Sequence, residues 1–299
     1  MYQRQRNNRK QCERRTPLVK NPKIIITAVL ALCLFASVLL AGCSKDTADK
    51  LIVVTSTSLL AQIVERIADD RVDVVNIIPP AQCPGHFDVK PDDIKKLSKA
   101  NLFLLHGWQG EKFSQELIAS ANNQNLSVVK LDVQGNWMVP SVQAAGTDLI
   151  ATALCQADAR NCPVYQKAAA EYKSKVAEKE SELKSKLAGA RLSEVNVLCG
   201  EQQAGFVKWT GLNLVGTFGT PDTLAPQVVK GLVDKGKQAK VSLVIDNLQS
   251  GKDAGAAIAE ELGCTRIILS NFPGGFDNTE TWEKAVEHNI DLILKAVGQ

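Results

Sequence analysis

A thiol and an imidazole lie three residues apart in the segment Cys83-Pro84-Gly85-His86. The Pro-Gly pair between them favours a turn, which can direct both side chains toward one point. Cys199 and His106 each stand at the end of an apolar run, where a strand presents a residue at its carboxyl edge. Two thiolates with imidazoles form a soft donor set that suits Zn(II) or Cu(I) better than Mn(II). These residue types therefore predict a transition-metal site.

Other uses of the same side chains compete with a metal site. Cys83 and Cys199 can form a disulfide with each other, or lie buried as ordinary apolar side chains. Either thiol, with a histidine and Glu201 nearby, would also be the nucleophile of a thiol enzyme, although no known catalytic signature accompanies it. His106 can be a hydrogen-bonded strand-end residue rather than a ligand. The residues alone leave these alternatives open.

Short apolar runs alternate with helical stretches along the chain, and each run is followed by turn residues. This alternation is typical of parallel βα units whose sheets are covered on both faces. It predicts an α/β fold with two lobes, each built on a four-stranded parallel sheet. The predicted strands are 51–55, 72–78, 101–106, 127–131, 194–199, 213–218, 241–246 and 265–269.

One long helix is predicted between the two groups of four strands. Residues 163–187 contain no glycine and no internal proline, Pro163 suits the first helical position, and Gly189 follows the end. At 1.5 Å per residue the helix would span roughly 38 Å, about the width of a domain, so it suits a rigid strut between lobes. The predicted organisation is a signal peptide at 1–42, a lobe at 43–160, a linking helix at 161–190 and a lobe at 191–299. Two such lobes place a ligand where the carboxyl ends of their strands face each other.

The N-terminal segment has the features of a secretory signal peptide. A basic stretch precedes residues 24–42, which are apolar or small apart from two hydroxyls. The sequence Leu40-Ala41-Gly42-Cys43 resembles the lipobox of bacterial lipoproteins, which implies cleavage before Cys43 and lipid attachment to it. The alternative is an uncleaved signal anchor, since 19 such residues can just span a bilayer. Both the lipid anchor and the signal anchor predict an extracytoplasmic protein held at the cell membrane.

The positive net charge of the chain comes from this N-terminal signal segment. The whole chain is at +3, but residues 1–43 hold eight basic residues and one acid, which leaves 27 basic and 31 acidic residues and a charge of −4. A mildly acidic folded part with no basic stripe argues against a nucleic-acid partner. Hydrophobic residues at 45% and charged residues at 22% also exclude a disordered chain and a polytopic membrane protein.

The cysteine count falls from eight to five once the signal is removed and Cys43 carries lipid. Cys155 and Cys162 lie seven residues apart in the loop before the long helix, and in an exported protein this spacing predicts a disulfide. Cys264 opens the last strand and is expected to be a buried apolar side chain. An odd number of cysteines means that at least one thiol is unpaired.

Several motifs, in this order, resemble those of the zinc/manganese group of ABC-transporter solute-binding proteins. Residues 77–93 are similar to the family's Ile-Pro … His-x-(Tyr/Phe)-x-Pro stretch, and residues 99–113 to its Ala-Asp-Leu … Gly-x-x-x-Glu-x-Trp segment. Trp137-Met138-Val139-Pro140 stands where the family has Trp-Leu-x-Pro. The resemblance covers nearly all of residues 50–299. It implies a monomeric receptor, not an enzyme, that delivers a transition metal to an ABC permease.

Of the metal ligands that the resemblance implies, only His86 is present unchanged in this sequence. The other family positions fall at Gly135, at Gly200 beside Glu201, and at Asn247 beside Asp246, with Asp277 as a second acidic candidate before the last helix. We therefore predict a relocated metal site made of Cys83, His86 and Cys199 and completed by Glu201 or His106. Zn(II) is the expected metal, with Cu(I) and Mn(II) as alternatives.

Three tryptophans follow or flank the predicted cleft, namely Trp108, Trp137 and Trp209. They either pack the interface between the lobes or, with Asn247, line a pocket for an organic or chelated ligand. The leading hypothesis is thus a lipid-anchored metal receptor. The alternatives are the same fold with a metal chelate or another small ligand, an extracellular Cys/His thiol enzyme, and a degenerate receptor or adhesin.

Overall fold

The computed structural model describes residues 50–108 and 113–298. The predicted signal peptide and the predicted lipid attachment at Cys43 lie outside these residues. No helix in the described part of the chain combines the length and the apolar character that crossing a membrane requires.

Eight strands in the described residues form two four-stranded sheets, and every strand pair is parallel. The strand order is β2-β1-β3-β4 in the first sheet and β6-β5-β7-β8 in the second. The predicted α/β fold with two four-stranded parallel sheets is confirmed. The strands are β1 Leu51–Thr55, β2 Val72–Asn76, β3 Leu102–His106, β4 Ser127–Leu131, β5 Asn196–Gly200, β6 Asn213–Phe218, β7 Leu243–Asn247 and β8 Thr265–Leu269.

The prediction extended β2 two residues too far. The amides of Ile77 and Ile78 still donate to the carbonyls of Thr55 and Ser56, at 2.9 and 3.1 Å, so the chain continues beside the end of β1. It then reaches Pro79 and Pro80, which have no N–H to extend the ladder. In the second sheet, β5 begins two residues later than predicted, because a single 3₁₀ turn occupies Leu192–Glu194.

Helices cover both faces of each sheet. In the described residues they are α1 Ser58–Ala68, α2 Pro91–Ser98, α3 Phe113–Ala121, α4 Pro140–Ala157, α5 Cys162–Leu187, α6 Ala204–Thr210, α7 Pro226–Ala239, α8 Leu248–Gly251, α9 Ala256–Leu262 and α10 Trp282–Ala296. Proline occupies one of the first two positions of α2, α4, α5 and α7, where its missing N–H costs no helical hydrogen bond.

The long helix α5 begins one residue before its predicted start and ends at Leu187 as predicted. Its 26 residues span roughly 39 Å. Only one stripe of α5 is buried, and that stripe packs on α4, α1 and α10. The buried residues recur at helical spacing and are Tyr165, Ala169, Tyr172, Val176, Leu183 and Leu187.

This stripe belongs to a hydrophobic core that runs through both halves of residues 50–298. The core includes Val53 and Leu104 of the first sheet, Val197 and Ile245 of the second, and Tyr172 of α5. Each sheet has a further, separate cluster of buried residues. The two sheets are therefore joined by continuous apolar packing as well as by chain connections.

Polar contacts fix the rotation of α5 about its axis. The amide of Gln143 in α4 donates to the Tyr172 hydroxyl at 2.9 Å in a buried position. On the other side, Lys179 pairs with Glu287 of α10 at 2.9 Å, and the indole N–H of Trp209 donates to Glu180 at 3.2 Å. These contacts tie α5 to α4, which follows the first sheet, and to α6 and α10 of the second half.

The predicted disulfide between Cys155 and Cys162 is confirmed. It joins the end of α4 to the first residue of α5, with the two Cα atoms 4.4 Å apart. The bond closes a loop with a sequence separation of 7 residues at the corner where the chain enters the long helix. Cys83, Cys199 and Cys264 are free thiols in the described residues.

Replacing both Cys155 and Cys162 with serine is expected to lower the free energy of unfolding by about 2.5 kcal/mol, because the unfolded chain regains the entropy of the closed loop. Urea unfolding followed by circular dichroism measures this change. Cys83→Ser, which removes a partly exposed free thiol, is the control and should leave stability within about 0.5 kcal/mol. A double variant as stable as the unchanged protein would contradict the assignment of a stabilising role to this bond.

Candidate functional site

A cavity of about 560 Å³ opens where the carboxyl ends of strands from both sheets meet. Residues that follow β3 and β4 line it on one side, and residues that follow β5 and β8 line it on the other. This is where doubly wound parallel sheets place ligands, because the loops after the strands converge there. The volume lies within the range of small-molecule sites.

Aromatic rings form much of the cavity wall. Trp108 is 41% exposed, and its ring meets that of Phe272 edge-on with centroids 6.1 Å apart. Trp137 is buried, and its backbone carbonyl accepts a hydrogen bond from the indole N–H of Trp282 at 3.0 Å. The His106 ring lies edge-on to Trp108 and Trp137, at centroid distances of 4.1 and 4.9 Å. Two of the three predicted pocket tryptophans, Trp108 and Trp137, therefore do line this cavity.

A network of amides that the sequence does not predict crosses the cavity floor. The side-chain N–H₂ of Asn136 donates to the Gln202 carbonyl at 2.7 Å and to Asn271 Oδ1 at 2.8 Å. Asn136 Oδ1 accepts from the amide of Met138 at 2.8 Å. Gly205 permits this approach, since a Cβ there would lie 3.2 Å from the Asn136 Cβ. The sequence signal is weak, because Asn136, Gln202 and Asn271 lie two to five residues beyond the ends of three different strands.

Further hydrogen bonds join the loops of the two halves. Gln249 donates to the carbonyl of Pro80 at 2.8 Å and to the hydroxyl of Ser270 at 2.8 Å. The Ser58 hydroxyl donates to the carbonyl of Pro273 at 2.7 Å. Because most of these groups are buried or half-buried, separating the loops would leave polar atoms without partners, which opposes opening of the cleft.

Cys199 does not reach the cavity, which corrects the prediction that it faces the cleft. Its side chain is fully buried in the core shared by both sheets. Successive side chains of a strand point to opposite faces, and Cys199 points to the same apolar face as Val197. Burial raises the pKa of the Cys199 thiol to about 12. Because its side chain lies in the core and does not line the cavity, Cys199 is not placed to bind a metal or to act as a nucleophile there.

The other predicted ligands are dispersed. Cys83 precedes a single 3₁₀ turn at Pro84–His86, His86 and Asp277 are exposed, and Glu201 lies at the cavity. Within the described residues, no three or more His, Cys, Asp or Glu side chains come together to hold a metal ion. The relocated set of Cys83, His86 and Cys199 is not assembled, because the strand geometry directs Cys199 into the core.

The backbone at Gly135 disfavours the ligand that the family resemblance places there. Gly135 has a φ of 105°, a conformation that residues with a side chain rarely adopt. A Cβ at this position would also lie 3.1 Å from a methyl carbon of Val142. Gly135 lines the cavity without a side chain, so the loop adds space where the family pattern has a metal ligand.

Trp209 and Asn247 do not line the cavity, contrary to their predicted role in the ligand pocket. Trp209 stacks on Phe206 and lies under the ammonium group of Lys184 in α5, 4.3 Å from its ring centroid. Asn247 is buried, where it accepts from Gln203 at 3.0 Å and donates to Ser250 at 2.6 Å. Both residues support the elements around the cavity.

His106 is a neutral structural residue at this site. It is 1% exposed, and its Nε2 lies 2.9 Å from the Thr57 hydroxyl. Burial lowers the pKa of His106 well below its usual 6.5. The ring is thus held uncharged between two tryptophans, which matches the alternative role of a hydrogen-bonded strand-end residue.

The depressed pKa of His106 predicts a loss of stability in acid. Between the folded-state pKa and 6.5, the unfolded chain binds a proton that the folded chain excludes, so stability falls as pH decreases below 6.5. We expect urea unfolding free energies to fall by about 1.4 kcal/mol more per pH unit in the unchanged protein than in His106→Gln. His86→Gln, at an exposed histidine, should keep the slope of the unchanged protein. Equal slopes for all three proteins would refute this assignment.

Comparison with known sequences finds similar metal-transport lipoproteins. The manganese ABC transporter substrate-binding lipoprotein PsaA of Streptococcus pneumoniae is 26% identical over 260 residues, covering 74% of this chain and 82% of that protein. The iron ABC transporter substrate-binding lipoprotein MtsA of Streptococcus pyogenes serotype M1 is 22% identical over 313 residues, covering 94% of this chain and 99% of that protein. These relatives are receptors and not enzymes, and the prediction that this protein is not an enzyme is confirmed.

Comparison with solved structures confirms the fold. The Mn-bound periplasmic metal-binding protein of Candidatus Liberibacter asiaticus matches with a TM-score of 0.72 at 16% identity, covering 83% of this chain and all of that chain (100%). A family model described as ZnuA, the periplasmic component A of a zinc-uptake complex, matches residues 53–296. The match covers most of the chain, which therefore belongs to the ZnuA family of metal-uptake receptors.

Proposed function

We propose that this protein is an extracytoplasmic, lipid-anchored receptor that captures a transition-metal solute and delivers it to the permease of an ABC importer. The observation that carries the proposal is the family match over residues 53–296 together with a cavity at the meeting edge of the two sheets. A receptor needs a solute site that opens to the outside, and the cavity meets this requirement because Trp108 on its wall remains partly exposed.

Zinc is the metal that we propose. The support is the description of the family as a zinc-uptake component. Manganese and iron are the alternatives, because they are named for the relatives PsaA and MtsA. The set of two thiolates and imidazoles predicted from the sequence does not support zinc, since Cys199 lies in the core.

The packing of the described residues supports a receptor that binds with little change in shape. A continuous core joins the two halves through α5, and buried or half-buried hydrogen bonds join the loops around the cavity. A conformational change needs contacts that differ between the free and bound states, and large opening would break many of these. A monomer that presents one outer surface to the permease is consistent with this rigidity.

Deleting the gene for this protein is expected to reduce zinc uptake from dilute medium, because the permease loses its source of captured solute. Uptake of radioactive zinc, manganese and iron by the deletion strain and by a complemented strain measures the effect for each metal. A decrease confined to manganese or iron would replace zinc as the metal. Unchanged uptake of all three metals would contradict the proposed role in transport.

Changing Cys43 to serine is expected to abolish lipid attachment, because the residue proposed to carry the lipid is lost. Incorporation of radiolabelled palmitate by the expressing cells, followed by immunoprecipitation, measures this attachment. Cys33→Ser is the matched control, because Cys33 lies in the same N-terminal segment and should leave the labelling unchanged. An unchanged protein that takes up no label would favour an uncleaved signal anchor instead.

A further inference from the structure

The cavity between the two sheets is built unlike a site for a bare metal ion. A protein holds a zinc ion with three or four side chains from His, Cys, Asp or Glu. No such group of three exists among residues 50–108 and 113–298. The space of about 560 Å³ is also many times larger than one ion needs and falls in the range of organic ligands.

The amide oxygens near the cavity floor already have partners. Asn271 Oδ1 accepts from Asn136, and Asn136 Oδ1 accepts from the backbone of Met138. The Gln202 carbonyl accepts from both Asn136 and Asn271, at 2.7 and 3.2 Å. Coordinating a bare ion there would require this network to reorganise. The network instead shapes a preformed polar floor.

The remaining wall favours the surface of an organic molecule. Trp108 is 41% exposed and can pack its ring on a ligand, whereas Trp137 and Phe272 line the cavity as buried side chains. The charged residues that line the cavity are Asp132 and Glu201, and no lysine, arginine or histidine is among the described lining residues. Aromatic faces with carboxylates attract cations and repel anions.

We propose that this cavity binds a transition metal enclosed in a small organic chelator, as a complex whose overall charge is neutral or positive. This inference rests on the proposed function for the identity of the cargo as a metal. Trp108 contacts the organic shell, the amide floor provides polar contacts, and Asp132 and Glu201 select the charge. The metal keeps the ligands of its chelator, so the missing family ligands are not required.

Exchange-inert cobalt(III) complexes test this, because they cannot release a bare ion to the protein. The probes are bis(L-histidinato)cobalt(III), with one positive charge, and the ethylenediaminetetraacetate complex of cobalt(III), with one negative charge. Zn(II) alone and free L-histidine complete the set. Isothermal titration calorimetry of the mature chain is expected to show 1:1 binding of the cationic complex, at least tenfold tighter than each of the other three.

Trp108→Ala is expected to weaken binding of the cationic complex about tenfold, because one aromatic face is lost. Trp209→Ala is the matched control, since Trp209 lies against α5 and outside the cavity, and should stay within about twofold. Thermal unfolding of both variants checks that they are folded. A cationic complex that binds Trp108→Ala as tightly as the unchanged protein would overturn the assignment of the cavity.

The outcomes separate this inference from the function on which it rests. Tight 1:1 binding of Zn(II) alone, without binding of the cationic complex, would overturn the chelate inference and leave the metal receptor standing. Binding of free L-histidine as tight as that of the complex would show that the metal is not recognised, and would overturn the inference. Binding of neither metal form, with unchanged metal uptake in the deletion strain, would overturn both.

Discussion

The buried stripe of α5 is the contact on which the rest of the structure depends. Tyr172 and its neighbours along one face pack into a core that also contains side chains from both parallel sheets. The helix is otherwise solvated, so its position is set by this stripe and by a few polar contacts such as the buried hydrogen bond from Gln143 to Tyr172. The Ala-, Glu- and Lys-rich sequence of α5 favours a helix by itself, but only burial of its apolar stripe fixes where that helix lies. Once α5 is placed, the carboxyl ends of the two sheets face each other at a set distance.

The cavity follows from that placement. Loops after strands of both sheets meet there, and Asn136 and Gln249 join them through hydrogen bonds. These amides stand in a region where the family resemblance places metal ligands. The result is a wall of tryptophan and amide groups whose charged members, among the described residues, are carboxylates. A rigid frame with an altered lining can keep the transport role of its family while recognising a different form of the cargo.

Most of the fold was accessible from the sequence because its signals are local. Alternation of short apolar runs with helical stretches located the eight strands of the described residues, and four of them have the predicted bounds. Errors fell at element ends, as at Ile77 and Ile78, where backbone pairing with β1 continues but two prolines then end the strand. The disulfide between Cys155 and Cys162 was equally local, since seven residues and one corner bring the thiols together. The site was less accessible, because Asn136, Gln202 and Asn271 are far apart in sequence and have no distinctive chemistry singly.

The sequence by itself determined the class of the protein: two parallel sheets, a long joining helix and the motifs of a metal-uptake receptor. Only the tertiary structure decided which side chains reach the cleft. Cys199 illustrates the reason, since a strand turns alternate side chains to opposite faces, and its register places this thiol in the apolar core. His106 is likewise confined between two tryptophans and kept uncharged by burial. The residue types in the sequence showed which ligands and nucleophiles were available. The direction and burial of each side chain decided which of these groups reach the site.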